Sequence, residues 1–141
     1  MINDNLTLKG QLNIALNGET VQEVDNLVVT VGKNFVASRM AAASAGVMSH
    51  MAIGSGTNNP AASDTTLQTE LGRVSLTSGT ASTNTVVYIA TFAAGTGTGA
   101  VTEAGILNAS SSGTMLCRTE FSVVNKGSAD SMTITWTITV S

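Results

Sequence analysis

The residues that could do chemistry are few: the single histidine His50, the single cysteine Cys117, and the carboxylates Glu103 and Glu120. An imidazole titrates near neutral pH and can serve as a general base or a metal ligand. His50, however, lies between Met48 and Met51 in an apparent strand, and no neighbour in sequence supplies a partner, so it reads as structural. A nucleophilic pair of Cys117 with His50 would need a motif that neither residue carries. Cys117 sits inside an alternating run and reads as a small buried apolar residue. Glu103 precedes Ala104-Gly105, and Glu120 points outward beside Arg118. Two such carboxylates make a glycosidase only when the fold sets their separation. Sugar sites favour aromatic platforms, and one Trp, one Tyr and three Phe are a thin supply.

Gly54-Ser55-Gly56 follows a strand, as a dinucleotide or phosphate loop would. Position 59 is asparagine rather than glycine, and no Gly-Lys-Ser/Thr is present, so the segment reads as a turn. Lys126-Gly127 and Asp130 read as turn polarity. Asn5-Leu6-Thr7 and Asn108-Ala109-Ser110 match the glycosylation acceptor pattern and read as chance matches. No credible catalytic constellation emerges, and no cofactor, metal or small-molecule substrate is implied.

Composition narrows the class. The 141 residues suit one domain, and a chain of that length buries roughly 68–70% of the surface it exposes when unfolded. Charged residues are only 11% against 43% apolar, so Thr, Ser, Asn and Gly must supply the polar surface. Net charge is −3, and Lys9, Lys33, Arg39, Arg73, Arg118 and Lys126 form no run. Binding to nucleic acid or membrane through a basic patch is therefore not expected. One cysteine excludes an intrachain disulfide. Met1-Ile-Asn-Asp-Asn lacks the basic and apolar regions of a secretory leader, and no run reaches the length of a membrane helix. The expectation is a chain made in a cytoplasm and not sorted by its own sequence.

The elements that must position these residues are mostly strands. Met132, Ile134, Trp136, Ile138 and Val140 alternate with Thr133, Thr135, Thr137 and Thr139, the period of a strand with one face buried. Trp136 requires a large apolar partner surface and a place for its N–H. Leu6, Leu8, Leu12, Ile14 and Leu16 alternate likewise, and Asn17-Gly18 predicts a hairpin into a return strand over Glu19–Val24. After a β-branched run at Leu27–Val31, Phe35, Val36, Arg39, Met40 and Ala43 recur at helical spacing. That pattern predicts one longer helix over Lys33–Ala45, its Phe35–Met40 side on a sheet and Gly46 as its C′ residue. Val47–Ile53 is extended. Asp64, as N-cap, with Leu67 and Leu71 at i and i+4, predicts one short helix over Thr65–Leu71. Further strands are predicted at Arg73–Thr77, Asn84–Ala93, Val101–Leu107 and Thr114–Val124, with Ser78–Ser82 as a turn. The apolar run Val86–Phe92 suggests burial on both faces. Short strands between Gly/Ser/Asn turns indicate a mainly β sandwich or barrel.

Several segments then resemble a known group. They are Met51 to Leu71 closing on Gly72-Arg73, Tyr88-Ile-Ala-Thr-Phe, Val101-Thr-Glu-Ala-Gly-Ile-Leu-Asn-Ala, Gly113-Thr-Met-Leu-Cys-Arg-Thr-Glu-Phe, and the Trp136 strand. In this order, over about Met48 to Val140, the chain resembles small structural proteins of tailed-bacteriophage virions. Within that group it is most similar to the capsid decoration, or cement, proteins of short-tailed Bordetella phages. The resemblance implies a jelly-roll-like antiparallel β-sandwich, with no enzymatic activity. It implies a homodimer on the outer surface of an icosahedral head, holding neighbouring major capsid protein subunits together after synthesis in the host cytoplasm. Related segments also occur in tail-fibre and baseplate proteins, so a host-recognition role is the alternative. The expected contact segments are an extended N-terminal arm (Met1, Ile2, Asn3, Asp4, Asn5), the loop Ser55, Gly56, Thr57, Asn58, Asn59, Pro60 and on to Ala62, and the glycine loop Gly95, Thr96, Gly97, Thr98, Gly99 and Ala100.

Overall fold

The computed structural model describes residues 6–41 and 46–141. The expected arm Met1–Asn5 and the last part of the expected helix, residues 42–45, lie outside the described residues. The elements run β1 (Leu8–Leu16), β2 (Glu19–Asp25), β3 (Leu27–Val28), α1 (Thr30–Met40), β4 (His50–Gly54), β5 (Glu70–Ser75), β6 (Ser78–Ser82), β7 (Thr85–Phe92), β8 (Gly99–Leu107), β9 (Met115–Lys126) and β10 (Met132–Val140). They form two five-stranded sheets, one ordered β2-β1-β10-β7-β6 and the other β3-β9-β8-β4-β5. Every strand pairing is antiparallel. The described residues are mainly β, two antiparallel sheets with one helix, consistent with a β-sandwich.

Both alternating strands lie where their period requires. β1 pairs with β10 in an unbroken register that sets Leu12 beside Trp136 and Ile14 beside Ile134. Their inward residues meet Met51, Ile53, Ile106, Cys117 and Phe121 of the opposite sheet in one core. The Asn17-Gly18 turn has positive φ at both residues (51° and 86°), as a two-residue hairpin demands. Trp136 is fully buried, yet its Nε1 has no hydrogen-bond partner among the described residues. An unpaired buried donor costs about 1–3 kcal/mol. Burying an indole of some 150–250 Å² returns about 4–6 kcal/mol at ~25 cal/mol per Å², so burial prevails.

Four expectations are corrected. The helix starts three residues earlier than predicted, because the amides of Val29 and Thr30 are fixed by the carbonyls of Leu116 and Ala62. It closes on Ala41 rather than Gly46; Phe35 and Val36 face the core, while Met40 is 83% exposed. No helix forms over Thr65–Leu71. The amides of Gln68 and Thr69 point at the Glu103 carboxylate instead of feeding a helical ladder, and Glu70 onward pairs with β4. Ser78–Ser82 is a strand rather than a turn, since β7 offers it a full ladder that its Ser/Gly/Thr composition does not advertise. The run Val86–Ile89 is only half-buried, because β7 has a neighbouring sheet on one face alone.

Helix α1 lies directly on β9. A Cβ added at Gly32 would stand 2.1 Å from the Leu116 carbonyl oxygen. Helix propensity favours alanine over glycine by about 1 kcal/mol. The backbone collision reverses that sign: Gly32→Ala is expected to lower stability by about 1–3 kcal/mol in urea unfolding. A gain in stability would show that the helix is not seated on Leu116.

Candidate functional site

The outer face of the β3-β9-β8-β4-β5 sheet is covered by α1 and by the long segment between β4 and β5. Val29, Ala52, Leu67, Leu107 and Met115 form a second apolar cluster beneath this cover. Gly105 of β8 lies under Leu67 and Met115, where a Cβ would come within 3.0 Å of the Met115 methyl. Beside this cluster two charged side chains are buried, Glu103 of β8 and Arg118 of β9.

The Glu103 carboxylate is saturated. Its Oε2 accepts the amides of Gly56 and Thr69, each at 2.7 Å, and its Oε1 accepts the Gln68 amide at 2.8 Å. Arg118 adds Nε at 3.1 Å and a second guanidinium nitrogen at 3.0 Å, both to Oε1. The same guanidinium donates to Asp64 Oδ2 at 3.0 Å and to the Asn58 carbonyl at 3.1 Å. Asp64 also accepts the Ala61 amide, Gln68 Oε1 accepts the Asn58 amide, and Thr102 donates to the Gly56 carbonyl. One ion cluster thus holds the whole stretch from Gly56 to Thr69 against the sheet. The glycines of Gly54-Ser55-Gly56 make room for it: a Cβ at either would stand within 2.6 Å of Glu103 Oε2. They mark close approach to a carboxylate rather than a phosphate cradle.

The glycine loop leaves the same end of the sandwich. β4 ends at Gly54 opposite Glu103, and β8 begins at Gly99 opposite Lys126. Gly95, Gly97 and Gly99 all have positive φ. Gly97 is buried, and a Cβ there would lie 2.5 Å from Ile53. Lys126 is not exposed turn polarity: it is buried, and its Nζ donates to the carbonyls of Ala93 and Asp130 at 2.9 and 2.7 Å. Asp130 is tied in turn to Asn17, whose amide lowers its pKa below the usual carboxylate value, helped by the Gly127 amide. Four connections therefore gather at one end: Asn17-Gly18, the segment from Ser55, the glycine loop and the β9–β10 turn. Both described contact segments expected from the sequence start at this end, and the one from Ser55 then folds back over the outer face of the sheet, where Asn58 and Asp64 meet Arg118. The outermost residues of the two segments, Thr57, Asn58, Asn59, Gly95 and Thr98, are exposed, while Ser55, Pro60, Thr96 and Gly99 are half-buried and Gly56 is buried. The described chain begins at the other end, where Thr7 pairs with Ser141.

The candidate chemical groups do not converge. His50 stands opposite Leu107, four positions along β8 from Glu103, and hydrogen-bonds Ser49 and Ser75 through its two ring nitrogens. Cys117 faces the opposite side of the sheet, inside the core. Among the described residues no group of His, Cys, Asp and Glu could hold a metal ion. Glu103, with both oxygens occupied, serves as an anchor. The Glu103–Arg118–Asp64 cluster is what sequence reasoning missed. Its one signal is a pair of opposite charges in two predicted strands, Glu103 between Val101 and Leu107 and Arg118 directly after Met115-Leu116-Cys117. No protein-family model matches the chain, and neither a curated protein nor a solved structure matches it.

Truncating one member of a buried ion pair strands the other charge and costs about 3–5 kcal/mol. Glu103→Ala is expected to show a loss of that size in urea unfolding, with protease cleavage between Asn58 and Gln68 before global unfolding. Equal protease resistance in the variant would show that the carboxylate does not hold the segment. Burial also pushes the Cys117 thiol well above its ordinary pKa, so the thiolate is scarce as well as inaccessible. A bulky disulfide reagent is expected to label it only upon denaturation; rapid labelling of native protein would contradict the β9 register.

Proposed function

We propose that this chain is a non-enzymatic decoration protein of a phage head, binding the outside of an icosahedral shell and stapling neighbouring major capsid protein subunits. The observation that carries the reading is that both described contact segments expected from the sequence leave the sandwich at one end, one after β4 and one before β8. Each is fixed from beneath, one by the Glu103–Arg118 cluster and one by Gly97 on Ile53 and by Lys126. Loops held in one conformation lose little entropy on docking, so more of the contact free energy remains for holding capsomers together. Contact with two capsomers at once adds avidity, because release of one leaves the other engaged.

The surface chemistry supports the same reading. The exposed face of the β2-β1-β10-β7-β6 sheet carries Thr133, Thr135, Thr137 and Thr139 beside Thr85, Val87, Ile89 and Thr91. Hydroxyl and aliphatic groups can be covered by a neighbour at much less desolvation cost than charges. The sandwich is read as jelly-roll-like, in keeping with the sequence resemblance. Pairing of early with late strands, β1 with β10 and β3 with β9, supports that reading.

The test is saturation binding to purified heads of a short-tailed Bordetella phage stripped of their decoration protein. Bound copies are expected in fixed ratio to capsid subunits, with heat resistance restored. Asn59→Arg with Thr98→Arg, both at exposed positions, is expected to weaken binding by about tenfold or more, equal to about 1.4 kcal/mol, without loss of stability. Removal of Met1–Asn5 tests the arm separately. Failure to bind heads, or antibody labelling of the tail instead, would overturn the proposal.

A further inference from the structure

Among the described residues the two sheets have four edges, and three are guarded. β2 carries Glu19, Glu23 and Asp25 and has a register shift against β1. β3 is two residues long. β5 carries Glu70 and Arg73 and faces a register shift in β4. Charge, brevity and bulges are the usual devices that stop an edge from pairing with another chain. β6 has none of them. It is Ser78-Gly79-Thr80-Ala81-Ser82, uncharged, exposed from Gly79 to Ser82, and in unbroken register with β7.

We propose that β6 is the self-association edge of this protein: two copies pair antiparallel through it, on a two-fold axis at Thr80, joining two five-stranded sheets into one of ten. The occupant is a second copy because the strand is its own complement. Read outward from Thr80, small residues lie on both sides (Gly79, Ala81), then serines (Ser78, Ser82), then threonines (Thr77, Thr83). A two-fold at Thr80 sets Thr80 against its own copy, Gly79 against Ala81 and Ser78 against Ser82. Hydroxyl-bearing residues opposite one another are favourable cross-strand pairs, and no like charges meet. The same operation on β2 would crowd acidic residues together. An antiparallel edge pairing is isologous, so it closes at two copies and does not propagate. Gly79 packs beneath Tyr88, with a Cβ position 3.1 Å from the ring, which leaves that side of the edge without bulk.

The pairing does not rest on shell binding: a dimer that ignores phage heads would overturn the proposed function and leave this inference standing. Sedimentation velocity on the full chain, from about 1 μM to about 1 mM, is the measurement, since a strand pairing is smaller than a standard interface and self-associates weakly. The wild type is expected to pass from monomer to dimer over that range, with hydrogen exchange at Ser78–Ser82 slowing as concentration rises. Thr80→Lys and Thr80→Glu alone are each expected to stay monomeric, because the axis sets each new charge against its own copy. An equimolar mixture is expected to dimerise again, which also shows that both variants fold. A wild type that remains monomeric, a Thr80→Lys protein that still dimerises, or a mixture that fails to recover would overturn the pairing.

Discussion

A carboxylate with no solvent around it must find its partners within the chain, and Glu103 finds them on three separate segments. The shape of the long connection across the outer face of the β3-β9-β8-β4-β5 sheet follows from that demand. The amides that satisfy it belong to residues that have no ladder of their own, so one acid replaces the secondary structure the segment from Gly56 to Thr69 lacks. Arg118 supplies the balancing charge and passes the constraint on to Asp64 and Asn58. Buried ion pairs seldom contribute much net stability over apolar isosteres. Here the gain is conformational: a long connection has one shape.

The sequence makes one half of this molecule plain and hides the other. Periods of two in Met132–Val140 and Leu8–Leu16 give the strands, their inward faces and, through Asn17-Gly18, the hairpin. Those features are local, and each residue's type states its side. The Glu103–Arg118 contact depends on the register between β8 and β9, which sets Arg118 opposite Gly105 and one side-chain row from Glu103. No spacing along the chain encodes that. The expected helix at Thr65–Leu71 failed for the same reason. Asp64, Leu67 and Leu71 have helical spacing, but distant partners took the groups a helix needs. Ser78–Ser82 shows the converse: residues with weak strand preference become a strand because β7 is available to pair with them.

The two sheets differ in what lies outside them. One carries a helix and a stapled loop on its outer face, so its inner strands β4, β8 and β9 are buried on both sides over much of their length, and β9 is a continuous buried run from Met115 to Thr119. The other has neither on its outer face, where the threonines of β10 lie, and β10 alternates cleanly between buried and half-buried residues. Two of the six basic side chains, Arg118 and Lys126, are consumed inside the protein, which removes them from any role at the surface.

Pairing β1 with β10 also fixes an order of events during synthesis. The first long strand to leave the ribosome must wait for the last before its sheet is whole, with more than a hundred residues emerging between them. Until then β1 and β7 each present an open flank, the situation in which nascent β chains are most exposed to wrong neighbours. So distant a closure makes for slow folding relative to helical proteins of the same size. Translation speed over the final strands, and the crowding of nascent chains on one message, therefore bear directly on how much of this protein reaches its native state.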